Sequence, residues 1–350
     1  MPDEPVPDQP VPDQPVPDQP VPLEPVPEVP AHGAGGSEAP TPDVPVVAVV
    51  GATATGKSDL ALRLAAALDG EVVNADAMQI YRGMDIGTAK LRPEQRCGVR
   101  HHLLDLLDVT EPATVALFQR LARAAIADCR SRGVVPVVVG GSALYVRAVL
   151  DRFEFPGSNP AVRERLEQQL AEHGPQALHR LLATRDPEAA AAILASNGRR
   201  IVRALEVIEI TGRPYAAQLP PFVSVYDDVR MLGLSLPRPD LDVRITARVQ
   251  QMWDDGFVDE VRRLEAAGLR RGRTASRALG YAQVLRHLAG ESSAAAARAE
   301  TALATRRFAR RQDSWFRKDP RISWLPADSA QLTATAVRVA AAPHRLPHGH

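Results

Sequence analysis

Gly51-Ala52-Thr53-Ala54-Thr55-Gly56-Lys57-Ser58 is a glycine-bounded loop that ends in a lysine and a hydroxyl. The spacing G-x-x-x-x-G-K-S is that of a phosphate-gripping loop. Its glycines let backbone amides turn inward around phosphate oxygens. Lys57 can reach the terminal phosphates, and the Ser58 hydroxyl can hold Mg2+. A second chemical group is Asp76, in Asn74-Ala75-Asp76-Ala77-Met78-Gln79. A carboxylate at that point can bind magnesium, accept a proton or cap a following helix, and the residues alone leave all three open.

Both groups need elements to position them. The apolar run Val46–Val50 precedes the loop and a helical pattern from Asp59 follows it, which is the strand–turn–helix context that gives the loop its meaning. Further strands are expected at Glu71–Asn74, Leu103–Leu107 and Val134–Val139, with a helix over Val115–Arg132 whose apolar residues recur every three or four positions. Alternation of this kind predicts an α/β fold, a P-loop NTPase-like parallel sheet flanked by helices. Ligands in such sheets bind beyond the carboxyl ends of the strands, so the loops after Val50, Asn74 and Val139 should converge.

The rest of the chain is read as four further regions. Residues 1–44 repeat PVPDQ and then turn Pro-, Gly- and Ala-rich, a composition too poor in large side chains to offset its ordering entropy; a disordered acidic tail is expected. After the first part of the core (45–157), residues 158–221 read as a helical insertion domain, with Pro160, Pro175 and Pro187 at helix starts. Residues 222–328 return to the core with a strand at 230–236, a helix-rich stretch over 241–316 and a last strand at 322–325. Residues 329–350 read as a flexible C-terminal tail.

Charge sharpens the picture. Nine of the 42 acids and none of the 42 basic residues lie in the first 44 positions, so the body carries an excess of nine positive charges. A basic body suits a polyanionic partner. Cys97 and Cys129 lack metal-ligand spacing and are expected to be buried, reduced thiols. No apolar run approaches a membrane span and no secretion signal is evident, so a cytoplasmic protein with no membrane partner, and a monomer, is expected. His101-His102 are adjacent, face opposite ways on an extended segment and cannot chelate one ion. Trp253, Trp315 and Trp324 are read as core.

The combination of GATATGKS, NADAMQIYRGMDIGTAK, RHHLLD at 100–105 and VVGGSALYVRAVL at 138–150 resembles the bacterial tRNA dimethylallyltransferases, or tRNA isopentenyltransferases. The similarity continues through GRRIVRALEVIEITGRP (198–214), LDVRITARVQQM (241–252), RALGYAQ (277–283) and ATRRFARRQDSWFR (304–317), and covers about residues 45 to 325. Two positions depart from the family pattern. Ala52 stands where the loop usually has proline, and Ala77 where it usually has serine.

The resemblance implies transfer of a dimethylallyl group from dimethylallyl diphosphate to the N6 amine of adenosine 37, beside the anticodon of tRNA, releasing diphosphate. It implies that Gly51 through Ser58 hold the diphosphate, with Mg2+ on Ser58. Asp76 would accept the amine proton, and Lys57 and Arg244 would face the diphosphate, Arg248 being second choice. Implied contacts to the tRNA anticodon stem-loop are Asp76, Ala77, Met78, Gln79, Ser142, Arg163, Arg199, Arg200, Ile201, Val202, Arg203, Arg277, Ala278, Leu279, Gly280, Tyr281 and Ala282. Gly140-Gly141 is read as room for a flipped base. Arg306, Arg307, Arg310 and Arg311 form a stripe for which phosphate binding and a solvated face are both open.

Two other functions compete. An adenylate prenyltransferase of the cytokinin-synthesis type shares the loop but acts on a free nucleotide; the helical insertion and basic body argue against it. A small-molecule kinase is what the loop alone suggests, yet no acid follows the apolar strand 134–139, which ends in Gly-Gly.

Overall fold

The computed structural model describes residues 44–153, 155–215 and 221–342. The acidic tail read at 1–44 therefore lies outside them apart from Val44, as do residues 343–350 of the C-terminal tail. Six strands form one sheet: β1 (Val46–Gly51), β2 (Gly70–Asn74), β3 (His101–His102), β4 (Val135–Gly140), β5 (Val229–Ser235) and β6 (Ile322–Pro326). Their order is β3-β2-β4-β1-β5-β6, and every pairing is parallel. Alternation along β1 explains why its run is wholly apolar. Val46, Ala48 and Val50 face one layer of helices, and Val47 and Val49 face the other.

The first layer contains α2 (Val115–Ser131), α3 (Ala143–Leu150), α8 (Phe257–Ala266) and α9 (Tyr281–Leu288). The second is built on α1 (Lys57–Ala67) and α11 (Leu332–Ala341). That last helix corrects the reading of 329–350 as a flexible tail. Ala336 and Ala340 are fully buried with Leu60, Leu64 and Leu232, so a run of small and β-branched residues becomes a lid over the sheet. Its weak apolar pattern gave little sign of this, because alanines bury well only where a neighbour approaches closely.

The strand expected at 103–107 is also corrected. Pairing ends at His102, and Leu103 and Asp105 adopt left-handed backbone conformations (φ 63° and 57°). The turn brings the Leu103 carbonyl onto the Asn74 side-chain amide, 3.1 Å away.

Residues 160–211 form α4 (Pro160–Arg185), α5 (Pro187–Ala192) and α6 (Gly198–Thr211), with Pro160 and Pro187 at helix starts as expected. Gly174 breaks α4 with φ 76°, and Pro175 restarts it. These helices enclose their own small core around Leu166, Leu182, Ile201 and Leu205. Ile201 and Val202, among the tRNA contacts the resemblance implied, have their side chains buried in this core. Glu206, fully buried on α6, organises the entry to this lobe. It accepts hydrogen bonds from Arg163, Arg203, the Ser158 hydroxyl and the Asn159 amide. Burial pushes its carboxyl up, but Arg163, Arg203 and Ser158 outweigh this and hold it at about 2. Arg203 also donates to the carbonyls of Pro156 and Gly157. Arg163 and Arg203 thus engage Glu206 at the start of the lobe, whereas Arg199 and Arg200 are exposed.

The helix-rich remainder packs α7 (Arg238–Asp254) and α9 against the long α10 (Ala294–Phe316). No helix among the described residues is long and apolar enough to cross a membrane.

Candidate active site

The glycine loop leaves β1 at the carboxyl edge of the sheet and enters α1 at Lys57. Gly51, Ala54 and Gly56 all have positive φ (138°, 66° and 92°), the conformations that turn the loop's amides inward. Gly51 also lies so close to β5 that a Cβ would fall 2.7 Å from the Leu234 carbonyl. Ala52 and Ala54 pack with Ile245 of α7 and Ala309 of α10, so the outer side of the loop is held by the C-terminal helices. Alanine in the usual proline position is accommodated by this apolar contact.

A cavity of about 690 Å3 opens over the loop, and Thr53, Lys57, Ser58, Asp76, Gly140 and Arg248 line it together. The ends of β1, β2 and β4 therefore converge, as expected from the strand order. No helix directly follows Asp76, so it caps a turn instead. Its Oδ1 accepts the Met78 amide at 2.9 Å, which caps the turn, and the same carboxylate faces the cavity. Burial raises its pKa, opposed by the Met78 amide and by Lys57. A raised pKa makes the carboxylate the better proton acceptor.

Lys57 donates to the Ala52 carbonyl at 2.6 Å. Burial and the charge of Arg248 lower its pKa to about 7, with Asp76 acting in the other direction. An anion entering the site favours the charged lysine, so its binding weakens as pH rises through that value. The Michaelis constant for a diphosphate ligand should increase towards about tenfold per unit above pH 7. Lys57→Arg, permanently charged, should flatten that dependence; a wild-type profile with no rise between pH 7 and 9 would contradict the assignment.

Arg248 and Arg244 share α7, but they are placed differently with respect to the cavity. Arg248 lines the cavity, while Arg244 is exposed and is not among the lining residues. The reason is helical phase. Ile245 and Val249 bury the side of α7 that meets the loop, and Arg248 sits beside them at the cavity wall. Ser58 lines the cavity with a hydroxyl that makes no hydrogen bond to the described residues. Ser58 and Asp76 both line the cavity, and their hydroxyl and carboxylate are hard-oxygen donors of the kind that suits Mg2+.

The segments implied to read tRNA divide into two kinds. Gln79 lines the cavity and donates to the Thr88 carbonyl at 3.1 Å; Ala77, Ser142, Leu279 and Ala282 are half-buried and Arg277 is exposed. Met78 packs on the core instead. Ala278, Gly280 and Tyr281 are buried, and Tyr281 donates its hydroxyl to Glu260 at 2.6 Å. Glu260, missed by sequence reasoning, also accepts the amides of Asp85, Ile86 and Gly87, and so pins the loop behind Gln79. A charged residue in the buried phase of α8, with Phe257, Val261 and Leu264, was the available signal.

The two glycines at the end of β4, Gly140 and Gly141, are tightly packed. A Cβ at Gly140 would lie 2.4 Å from the Ala75 carbonyl, and one at Gly141 would lie 2.4 Å from Gln312 Nε2. Close packing requires both glycines, and both also line the cavity. The arginine stripe splits: Arg306 donates to Thr246 and Arg310 approaches Asp242, both on α7, whereas Arg311 lies over Phe308. Trp253 and Trp324 pack on the core, but Trp315 is 47% exposed, contrary to expectation. Cys97 is likewise exposed and only Cys129 is buried. His102 meets Glu71 (2.7 Å) and Cys129 (3.7 Å), two partners its sequence spacing did not reveal. Arg132 already engages both Glu71 oxygens at 2.8 Å and fills the place a cation would take.

The model of the IPP transferase family matches residues 79–319. The chain belongs to this family. It is 65% identical to a tRNA dimethylallyltransferase of Streptomyces avermitilis over 82% of this chain and 92% of that one. It is 63% identical to that of Thermobifida fusca over 83% and 92%. Among solved structures it resembles a tRNA isopentenylpyrophosphate transferase from Bacillus halodurans (38% identity, 85% and 94% coverage, TM-score 0.62). It also resembles a eukaryotic dimethylallyltransferase seen acting on tRNA (25% identity, 83% and 76% coverage, TM-score 0.72). The family match runs from Gln79 through Asp319, so α7 and α10, which back the glycine loop, fall within it.

Proposed function

We propose that the protein transfers a dimethylallyl group from dimethylallyl diphosphate to N6 of adenosine 37 in tRNA. The observation that carries this reading is the meeting of a carboxylate, Asp76, with the glycine loop, Lys57 and Arg248 around one cavity. An exocyclic adenine amine is a poor nucleophile because its lone pair is delocalised into the ring. As N6 attacks C1 of the donor, the N6–C1 bond forms and the C1–O bond breaks, its electron pair leaving on the diphosphate. Asp76 takes the N6 proton. The loop amides, Lys57 and Arg248 stabilise the charge that develops on the departing diphosphate.

Ser58 would hold Mg2+, which when bound adds further positive charge beside the phosphate oxygens. The base must leave its stack to enter the cavity, which Asp76, Gln79, Gly140 and Gly141 help to line. Arg199, Arg200 and Arg277, exposed at the surface, suit the tRNA backbone.

A single assay separates the competing functions. The protein is incubated with labelled dimethylallyl diphosphate and tRNA, AMP or neither, and in parallel with labelled ATP. Label in tRNA and none in AMP is the expected result. Labelled AMP, or phosphate transfer from ATP without prenyl transfer, would replace the proposal.

A further inference from the structure

Gln312 stands apart from the residues around it on α10. It occupies the core-facing phase of the helix with Ala302, Ala309 and Phe316, yet it is an amide, and only 6% of it is exposed. Both ends of that amide are used on the two loops that bound the cavity. Oε1 accepts the Thr53 backbone N–H at 2.8 Å, and Nε2 donates to the Gly141 carbonyl at 2.8 Å. Thr53 belongs to the loop that leaves β1, and Gly141 to the turn that leaves β4. Thr53 and Gly141 line the cavity and Gln312 does not. Gly141 must be glycine for the bridge to form, because a Cβ there would sit 2.4 Å from Nε2.

We infer that Gln312 is a positioning residue that fixes the separation between the leaving group and the attacking base. The inference rests on the prenyl-transfer reading, in which the glycine loop holds the diphosphate and the β4 turn borders the base. Buried polar groups at fixed positions cannot drift without losing hydrogen bonds. One side chain bonded to both loops therefore makes their spacing a single rigid quantity. Transfer demands that C1 and N6 come within reacting distance along the line of C1–O cleavage, and a shift of about 1 Å can cost about 100-fold. Binding of each substrate alone makes no such demand. Loss of the bridge should slow transfer without weakening either substrate's grip, and should let water compete. In that side reaction a water oxygen attacks C1, the C1–O electron pair leaves on diphosphate and the water proton goes to solvent. The products are dimethylallyl alcohol and diphosphate.

The test uses Gln312→Met, which keeps length and burial but makes neither hydrogen bond, and Gly141→Ala, which pushes the amide away. Diphosphate release and prenyl-tRNA formation are measured together, with Michaelis constants for both substrates and thermal unfolding. Gln312→Met should lower kcat about 10- to 100-fold and change each Michaelis constant less than about threefold. Diphosphate released per prenyl-tRNA should rise from one to above two. Gly141→Ala should behave alike, and the double variant should lose little more than the worse single one. A one-to-one ratio in both single variants overturns the inference, as does a loss confined to stability or to the Michaelis constants. If Gln312→Met fails to unfold cooperatively, Gly141→Ala alone decides by the same ratio. Wild-type protein that transfers no prenyl group would instead sink the functional reading.

Discussion

Asp76→Ala should lower kcat by about 100- to 10,000-fold, the usual contribution of a positioned general base, while tRNA affinity changes little. Alanine also removes the acceptor for the Met78 amide, so it perturbs the turn as well as the chemistry. Asp76→Asn separates the two effects, since its carbonyl can still accept that amide but cannot take a proton. Both variants should be comparably slow. Burial raises the carboxyl's pKa above its ordinary value, so the acid limb of the wild-type rate profile should lie above the normal aspartate range. Towards lower pH the carboxylate becomes protonated and the rate falls; in Asp76→Asn that limb should vanish. Near-normal turnover in the asparagine variant would remove Asp76 as the base.

Arg248→Ala should cost about 100- to 1,000-fold in kcat, the range for removing one preorganised charge donor. Arg244→Ala should stay within about threefold, as exposed side chains generally do. The contrast is informative because the two residues differ by one helical turn and carry the same charge. Arg248 also contributes to the lowered pKa of Lys57, so its removal should shift the pH dependence of donor binding to higher pH. Steady-state kinetics with varied dimethylallyl diphosphate would show both effects. A larger loss at Arg244 than at Arg248 would restore the ranking implied by resemblance.

Much of the site was legible because it is local. The loop from Gly51 to Ser58 carries its chemistry in consecutive residues, and Asp76 follows directly on a strand whose neighbours in the sheet could be inferred from alternation. The parallel sheet was readable for the same reason: strands buried on both faces are uninterrupted apolar runs. The less legible residues are those whose surroundings depend on which side of a helix faces what. Tyr281, Ile201 and Val202 lie within segments that resemble the family's, and their side chains fill the interior. Arg163 and Arg203 look like phosphate ligands in one dimension and are consumed by Glu206 in three.

α11 was missed for a related reason. Its alanines and valines acquire meaning only against α1 and the sheet. Gln312 is the sharpest case: it lies 171 positions from Gly141 and 259 from Thr53, distances over which no periodicity or spacing carries information.

Consecutive residues and short-period patterns thus specified the class of fold, the phosphate-gripping loop and the carboxylate beside it, because bonded neighbours impose their geometry directly. Packing set Arg248 rather than Arg244 at the cavity wall, turned two arginines toward a buried carboxylate and joined two cavity loops through one amide. Those choices depend on close approach between segments distant in the chain, where hydrogen bonds and burial are won or lost only once the fold has formed.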